Sequence, residues 1–357
     1  MHSTWTLVIA GFSVGLLISL LLIRMAPRAG WVDHPDQGRK THRQPTARSG
    51  GLALWGALTL AQVMGWLPWH LHPTDWLGIH AMALMGALDD RFDLRARYKS
   101  LLGLLVAVLL ASHAAVGLSH TVSQVAFFDL DIPTYPLLVF PLLFVWFWGI
   151  PQAYNLIDGI NGLSMGLGLL VLELLRQQIG ASPGFFTGTL LAVFSLNYPR
   201  AKHFLGDCGA LLLGTLFSVL AIKLMVARDA DLPMWLLAYP IVDVCLVVAI
   251  RKWRHQPFST ADRSHLHHWM MDRVGQRAWL ATPILLILAA LPMLRATPLP
   301  GAYTLSALGA LLLVFLALKA FLDRIIPTLS PEPAARVARE VPQMEPTRER
   351  TGAHRTL

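Results

Sequence analysis

The chain consists of long apolar blocks separated by shorter polar segments. Within each block the apolar residues follow one another almost without interruption, instead of recurring at every second or every third to fourth position. This pattern predicts helices that are apolar on all sides and need lipid around them, with about 20 residues per membrane span. Eleven blocks are candidates, near 4–23, 49–68, 73–88, 100–118, 135–153, 162–179, 184–198, 209–228, 233–250, 278–295 and 302–322.

The composition agrees with a membrane protein. Of 357 residues, 55% are hydrophobic and 14% are charged, whereas about 25% are charged in an ordinary soluble domain. One soluble core of this size cannot bury such an excess of apolar residues. We therefore expect an all-α, polytopic integral membrane protein of about eleven transmembrane helices, with residues 1–326 in a single transmembrane domain. The segment 327–357 is rich in proline and charge and is expected to be a disordered tail.

The uneven distribution of basic residues predicts the orientation. If the N-terminus is outside, 24 of the 29 Lys and Arg residues fall on the cytoplasmic side. The positive-inside rule then predicts a periplasmic N-terminus and a cytoplasmic C-terminus. A nucleic-acid partner is not favoured, because no basic domain stands apart from the membrane. The predicted cytoplasmic loops are 24–48, 89–99, 154–162, 199–208 and 251–277.

The sequence indicates neither a cleaved signal peptide nor cysteine-based chemistry. The first apolar block has no basic segment before it and no cleavage pattern after it, so we expect a retained span rather than a signal peptide. Cys208 and Cys245 lie far apart without metal-type spacing, so neither a disulfide scaffold nor a thiol nucleophile is indicated.

The first cytoplasmic loop is basic. Lys40 and His42 belong to a cationic cluster that ends in Gly50 and Gly51, where the second span begins. This arrangement suits a phosphate at a helix N-terminus. An ordinary solvated, basic loop explains the composition equally well.

The second loop begins with adjacent carboxylates. Asp89 and Asp90 end an apolar stretch, where they repel each other and lose hydration. A divalent cation, or a proton shared with a substrate, compensates such a pair. The alternative is a plain helix end that pairs with Arg91 and Arg97.

The third and fourth loops carry oxygen donors. Asn155, Asp158 and Asn161 recur every three residues, which places them along one side of a tight helical turn and favours a hard cation such as Mg²⁺. Asp207 directly precedes an apolar helix, where it can cap the helix, bind metal or do both. Phe204 lies close by and is suited to stacking on a flat base.

The fifth loop holds three histidines within four residues, His265, His267 and His268. A zinc site is not favoured, because no cysteine or fourth ligand lies nearby in the sequence. Together with Arg263, they are better suited to donating hydrogen bonds to phosphate or sugar oxygens.

These motifs, in this order, resemble the polyprenyl-phosphate N-acetylhexosamine-1-phosphate transferase family (glycosyltransferase family 4) over roughly residues 30–280. The chain is most similar to the branch that uses UDP-GlcNAc and undecaprenyl phosphate. The motifs that carry the resemblance are Gly-x-x-Asp-Asp at 86–90, Asn-x-x-Asp-Gly-x-Asn-Gly-Leu at 155–163, Phe-x-Gly-Asp at 204–207 and His-Leu-His-His at 265–268.

The resemblance implies a Mg²⁺-dependent enzyme, with Mn²⁺ as an alternative ion, in the bacterial inner membrane. It would transfer GlcNAc-1-phosphate to undecaprenyl phosphate and release UMP at the cytoplasmic face, starting a lipid-linked polysaccharide. The implied catalytic residues are Asp89, Asp90 and Asp158, and the implied metal ligands are Asp207, Asn161 and Asp158. The implied substrate-binding residues are Lys99, Asn155, Phe204, Arg263, His265, His267, His268, Lys40 and His42. Many bacterial members carry Asp in place of Asn161, so the ligand set here has one neutral donor.

Other functions stay open at this stage. The same chemistry on another UDP-N-acetylhexosamine or on UDP-MurNAc-pentapeptide fits the motifs, and the enzyme is compatible with a homodimer. A lipid or solute transporter is the alternative from another class. A transporter needs ionisable groups within the spans, where Glu173 and Lys223 are the main candidates and neither has an obvious partner in the sequence.

Overall fold

The computed structural model describes residues 4–35, 44–127, 130–179, 181–227, 232–255 and 265–293. These residues form twelve helices. They are α1 (Thr4–Ala29), α2 (Gly50–Val63), α3 (Pro73–Phe92), α4 (Ala96–Thr121), α5 (Pro136–Leu156), α6 (Leu163–Ile179), α7 (Gly184–Asn197), α8 (Gly206–Ala227), α9 (Leu232–Leu236), α10 (Ala238–Trp253), α11 (Leu266–Arg273) and α12 (Ala278–Met293).

Each of the first ten apolar blocks coincides with helix. The block predicted near 233–250 is interrupted at Leu237, which separates the short α9 from α10. The eleventh block, near 302–322, and the tail 327–357 lie outside the described residues.

Among the described residues, four helices are long and apolar enough to cross a membrane, and they make this chain a multi-pass helical membrane protein. They are Thr4–Ala29, Ala96–Thr121, Pro136–Leu156 and the part Gly206–Met225 of α8. Of the shorter apolar helices, α2 and α7 pack against α1, whereas α12 packs against α6. The number of eleven spans and the orientation stay predictions.

Helix α8 lies at the centre of the bundle. It packs against α2, α3 and α5 and is buried along almost its whole length. By contrast, α1, α4 and α5 turn large apolar side chains outward, with Leu137 of α5 90% exposed. Lipid is the solvent in which such exposure costs nothing.

Two small hairpins connect helices. Strands β3 (Gln124–Phe127) and β4 (Leu130–Pro133) pair antiparallel in the connection between α4 and α5. Strands β1 (Val32–Asp33) and β2 (Thr46–Ala47) form a second, shorter pair within the basic loop 24–48. That loop is therefore structured at both of its ends.

Helices α1 and α7 approach each other through glycine. A Cβ atom on Gly188 of α7 would lie 2.0 Å from the carbonyl oxygen of Val8 in α1. The backbone of α1 cannot accommodate another atom at that distance. Any side chain at Gly188 therefore forces the two helices apart.

Gly188→Ala should therefore lower the free energy of unfolding by about 1–3 kcal/mol through overpacking. Gly149→Ala in α5 is the matched control, because a Cβ there meets nothing within 4 Å and alanine is the better helix former. Thermal denaturation in detergent compares the two variants. Equal midpoints would contradict the α1–α7 contact.

Candidate active site

A cavity of about 1010 Å³ opens where the ends of several helices meet. Asp89 and Asp90 reach it from the last turns of α3, Lys99 from the first turn of α4 and Asp207 from the first turn of α8. All five polar loops contribute at least one lining residue. The site residues expected from the sequence that line the cavity are Asp89, Asp90, Lys99, Asp158, Asn161, Phe204, Asp207 and His268. Such a volume is at the upper end of ordinary ligand sites.

The carboxylate of Asp90 caps helix α8. Its Oδ1 accepts a hydrogen bond from the backbone N–H of Asp207, and its Oδ2 accepts one from that of Cys208, both at 3.0 Å. The first amides of a helix have no partner within the helix and attract negative charge. Asp90 thus joins the end of α3 to the start of α8.

Glycines in two motifs permit this junction. Gly206 has φ +73°, and a Cβ there would lie 2.4 Å from Oδ2 of Asp90. A Cβ on Gly86 would lie 2.4 Å from the backbone of Asp207. The Gly-x-x-Asp-Asp and Phe-x-Gly-Asp motifs therefore interlock through their glycines as well as their carboxylates.

Asp89 has different partners. Its Oδ2 accepts from Lys99 Nζ at 2.8 Å, and its Oδ1 accepts from the backbone N–H of Leu94 at 2.8 Å. Lys99 Nζ also lies 3.9 Å from Oδ2 of Asp207. Around Lys99, one ammonium therefore faces the carboxyl groups of both Asp89 and Asp207.

Asp158 lies in the turn between α5 and α6. Its pKa is raised to about 7, mainly by burial and in part by the charge of Asp90, while a hydrogen bond from Ser164 Oγ opposes the shift. Asn161 lies in the same turn and donates its side-chain amide to the carbonyl of Pro199 at 3.1 Å. Asp158 and Asn161 both line the cavity, whereas Asn155, on the last turn of α5, does not line it among the described residues.

The three histidines of the fifth motif occupy different positions. His268 lines the cavity. His267 is fully buried and packs against Gly159, where an added Cβ would lie 2.1 Å from Nε2 of the ring. His265 is buried beside Asp243 of α10. Lys40, His42 and Arg263 lie outside the described residues.

The cavity also contains basic residues that the sequence indicated only as topological signals. Arg48 lines it and is ion-paired with Asp33, and Arg200 and Arg277 line it as well. Their positions on the basic side of the protein were evident from the sequence. Their convergence on one cavity depends on the fold.

The expectation that Glu173 and Lys223 have no partner is wrong. Lys223 Nζ lies 3.2 Å from the carboxylate of Asp75, a buried residue in the first turn of α3. Glu173 binds Arg176 one helical turn away, at 2.7 Å. Both charges are therefore compensated locally, so neither supports a transport pathway.

The chain is similar in sequence to a known protein family and to several named proteins. Residues 74–225 match the model of the family described as "Glycosyl transferase family 4". The "Probable undecaprenyl-phosphate N-acetylglucosaminyl 1-phosphate transferase" of Bacillus subtilis (strain 168) is 31% identical over 285 residues, 74% of this chain and 77% of that protein. Proteins of Thermotoga maritima and Escherichia coli (strain K12), each named "Undecaprenyl-phosphate alpha-N-acetylglucosaminyl 1-phosphate transferase", are 27% and 28% identical over 74% and 78% of this chain, and over 80% of their own lengths.

Fold, cavity and comparisons together define a polytopic membrane protein with an acidic site at the meeting point of its helix ends. The chain belongs to glycosyl transferase family 4.

The side chain of His203 holds the loop that precedes α8 in place through two hydrogen bonds. Its ring is fully buried, accepts from Ser49 Oγ at Nδ1 (3.4 Å) and donates from Nε2 to the carbonyl of Val193 (3.3 Å). Burial lowers the pKa of His203 to about 4, from 6.5, although the hydrogen bond to Val193 opposes the shift. The folded protein thus holds a neutral imidazole at physiological pH.

This lowered pKa predicts acid sensitivity. As the pH falls, the unfolded chain takes up the proton before the folded protein does, so the contribution of His203 is complete above about pH 6.5 and is lost towards about pH 4. The separation corresponds to about 3 kcal/mol at most. His203→Gln, which keeps a donor for Val193, should flatten the decline of the thermal midpoint between these pH values. An unchanged slope would contradict a neutral, buried His203.

Proposed function

We propose that this protein transfers N-acetylglucosamine-1-phosphate from UDP-N-acetylglucosamine to undecaprenyl phosphate and releases UMP. The main support from the molecule is the convergence of Asp89, Asp158, Asp207 and Lys99 on one cavity. The names of the relatives point to the same lipid and the same sugar. The product would begin a lipid-linked polysaccharide, such as an O-antigen, a common antigen or a wall polymer.

The proposed reaction is a displacement at phosphorus. An oxygen of the lipid phosphate forms a bond to the phosphorus that carries the sugar, and the bond from that phosphorus to the UMP oxygen breaks. Both reactants are anionic, so charge repulsion forms a large part of the barrier. The site must therefore bring positive charge to two phosphate groups at once.

The donors in the cavity fit a divalent cation. Carboxyl groups of Asp89 and Asp207 face a single ammonium, and Asp158 and Asn161 add further oxygen atoms to the cavity lining. Oxygen donors of this kind suit Mg²⁺, with Mn²⁺ as an alternative. Asp207, Asn161 and Asp158 are the proposed ligands, and the ion would neutralise charge on the diphosphate when bound.

The remaining side chains are assigned to substrates by their positions. Lys99 is held by Asp89 at the acidic wall, where it can also bind a phosphate oxygen. Phe204 lines the cavity and is suited to stacking on uracil. His268 and the basic residues Arg48, Arg200 and Arg277 are proposed to bind the diphosphate or sugar.

Asp89 and Asp90 are proposed to act differently. The carboxylate of Asp89 is bound to Lys99 and can orient the acceptor phosphate. Both oxygens of Asp90 are engaged by amides of α8, so we assign Asp90 the support of Asp207. A strong general base is not needed, because a phosphomonoester with a second pKa near ~6 is largely dianionic at neutral pH.

The proposed location is the cytoplasmic face of the bacterial inner membrane. The distribution of basic residues supports this orientation, with residues 1–326 as one transmembrane catalytic domain. UDP-sugars are soluble and cytoplasmic, whereas the lipid phosphate is confined to the bilayer, so the boundary is where both are available. A homodimer is compatible with this site, because every residue assigned to it belongs to one chain.

The proposed activity is tested with purified protein, undecaprenyl phosphate, Mg²⁺ and a panel of UDP-N-acetylhexosamines, with UMP release as the measurement. UDP-N-acetylglucosamine should be the preferred donor, and EDTA should abolish turnover until Mg²⁺ or Mn²⁺ is restored in excess. Preference for another UDP-sugar would replace the donor, and no turnover of any of them would refute the function.

Asp207→Asn should reduce turnover at least a thousandfold while the protein stays folded, since it removes charge from the proposed metal site. Asp75→Asn is the control, because it alters a buried carboxylate at the other end of α3, remote from the cavity. Folding is checked by size-exclusion chromatography and thermal denaturation. Full activity of Asp207→Asn would refute its assignment as a metal ligand.

Direct displacement predicts no exchange of labelled UMP into UDP-N-acetylglucosamine when the lipid acceptor is absent. A covalent phosphoryl-aspartate would allow such exchange. Rapid exchange that disappears in Asp89→Asn would establish the two-step alternative and contradict a single displacement.

A further inference from the structure

Asp243 is a buried carboxylate that the mechanism above does not use. It lies within α10, is 1% exposed, and engages both of its oxygens with the fifth motif. Its Oδ2 lies 2.7 Å from Nδ1 of His265, and its Oδ1 accepts from the backbone N–H of Leu266 at 2.8 Å. A charged group in the interior of a membrane bundle is costly and is seldom retained without a function.

The two hydrogen bonds act on different parts of the same segment. The bond from Leu266 caps α11, whose own N-cap residue, His265, makes no side-chain bond to the helix. The bond from His265 fixes its ring, because a carboxylate only accepts and Nδ1 must therefore carry the proton. Asp243 thus sets both the start of α11 and the orientation of its first ring.

The three histidine rings transmit this orientation to the cavity. The rings of His265 and His267 are stacked with centroids 5.5 Å apart, and those of His267 and His268 are 4.2 Å apart. His267 is held on its other side by Gly159, beside Asp158. A shift of His265 therefore displaces the ring that lines the cavity, His268.

A metal ion is a competing explanation, because ligand atoms of Asp243, His265 and His267 all lie within 4.8 Å of one another. Two ligands of one tetrahedral zinc ion, each at about 2.0–2.1 Å, would be about 3.3 Å apart. The 2.7 Å between Asp243 and His265 is the length of a charge-assisted hydrogen bond instead. The geometry favours a carboxylate–histidine pair.

We propose that Asp243 is a positioning residue, which places His268 for the nucleotide sugar by holding His265 and the start of α11. This inference rests on the proposed function for the identity of the substrate. It does not rest on it for the contacts among Asp243, His265 and α11.

The kinetic test compares Asp243→Asn, Asp243→Ala and His265→Ala. Asparagine can keep an acceptor for the Leu266 amide but presents no carboxylate to Nδ1. Asp243→Asn and Asp243→Ala should each lower kcat/KM for UDP-N-acetylglucosamine at least tenfold, while KM for undecaprenyl phosphate changes less than threefold. Asp75→Ala is the matched control for loss of a buried carboxylate and should leave the KM of the nucleotide sugar unchanged.

A double-mutant cycle tests the route. Asp243→Asn keeps the acceptor for the Leu266 amide, so if the carboxylate acts through His265, the double variant Asp243→Asn/His265→Ala is no worse than His265→Ala alone. Multiplicative losses would overturn the proposal, and so would full activity of Asp243→Asn. Stoichiometric zinc in the wild-type protein that is lost in Asp243→Ala would favour the metal site and also overturn it.

A second measurement does not depend on turnover. Hydrogen exchange should accelerate at residues 266–270 in Asp243→Ala and stay unchanged at residues 207–212 at the start of α8. Unchanged exchange in α11 overturns the inference even if the enzyme is active. Accelerated exchange in Asp243→Ala, together with no turnover of any UDP-sugar by the wild-type protein, would refute the proposed function alone.

Discussion

The cap that Asp90 places on α8 is the interaction on which the rest of the site depends. A helix that begins at the membrane boundary has amides that neither lipid nor other residues of the helix can satisfy, and a single carboxylate from α3 satisfies two of them. Asp89, which directly precedes Asp90, and Asp207, whose own amide Asp90 caps, are then held close to each other. Lys99 joins them from α4. Capping thus determines the distance between two acidic groups that would otherwise repel each other.

A second carboxylate–helix contact repeats this arrangement at the start of α11, the helix that carries the histidine motif. Asp243 accepts from the first amide of α11, as Asp90 accepts from those of α8. In both cases a carboxylate from a neighbouring helix orients the segment that carries the polar motif. The acidic wall and the histidine wall are therefore fixed by helices that also pack within the bundle, and the turn containing Asp158 and Gly159 lies between them.

Much of this could be predicted from the sequence, because apolar blocks identify helices and polar clusters identify their ends. Asp89, Asp158, Asn161, Phe204, Asp207 and His268 were identified and lie on one cavity. Asp243 was missed because a single acidic residue within an apolar block has no local partner, and its partner is 22 residues away in sequence. The burial of His265 and His267 was also not predictable, since spacing within a motif does not say which ring faces a cavity. The partner of Lys223 could not be found for the same reason, because Asp75 belongs to a distant helix.

The central position of α8 determines where the protein tolerates amino-acid substitutions. Its side chains are surrounded by protein on nearly all sides, so even a change of one methylene group alters its packing. Helix α1 meets mostly lipid, and lipid accepts one aliphatic side chain about as readily as another. Random substitutions should therefore be tolerated at the periphery of the bundle. In the helix that carries Asp207, by contrast, side chains have little freedom to vary in size or shape.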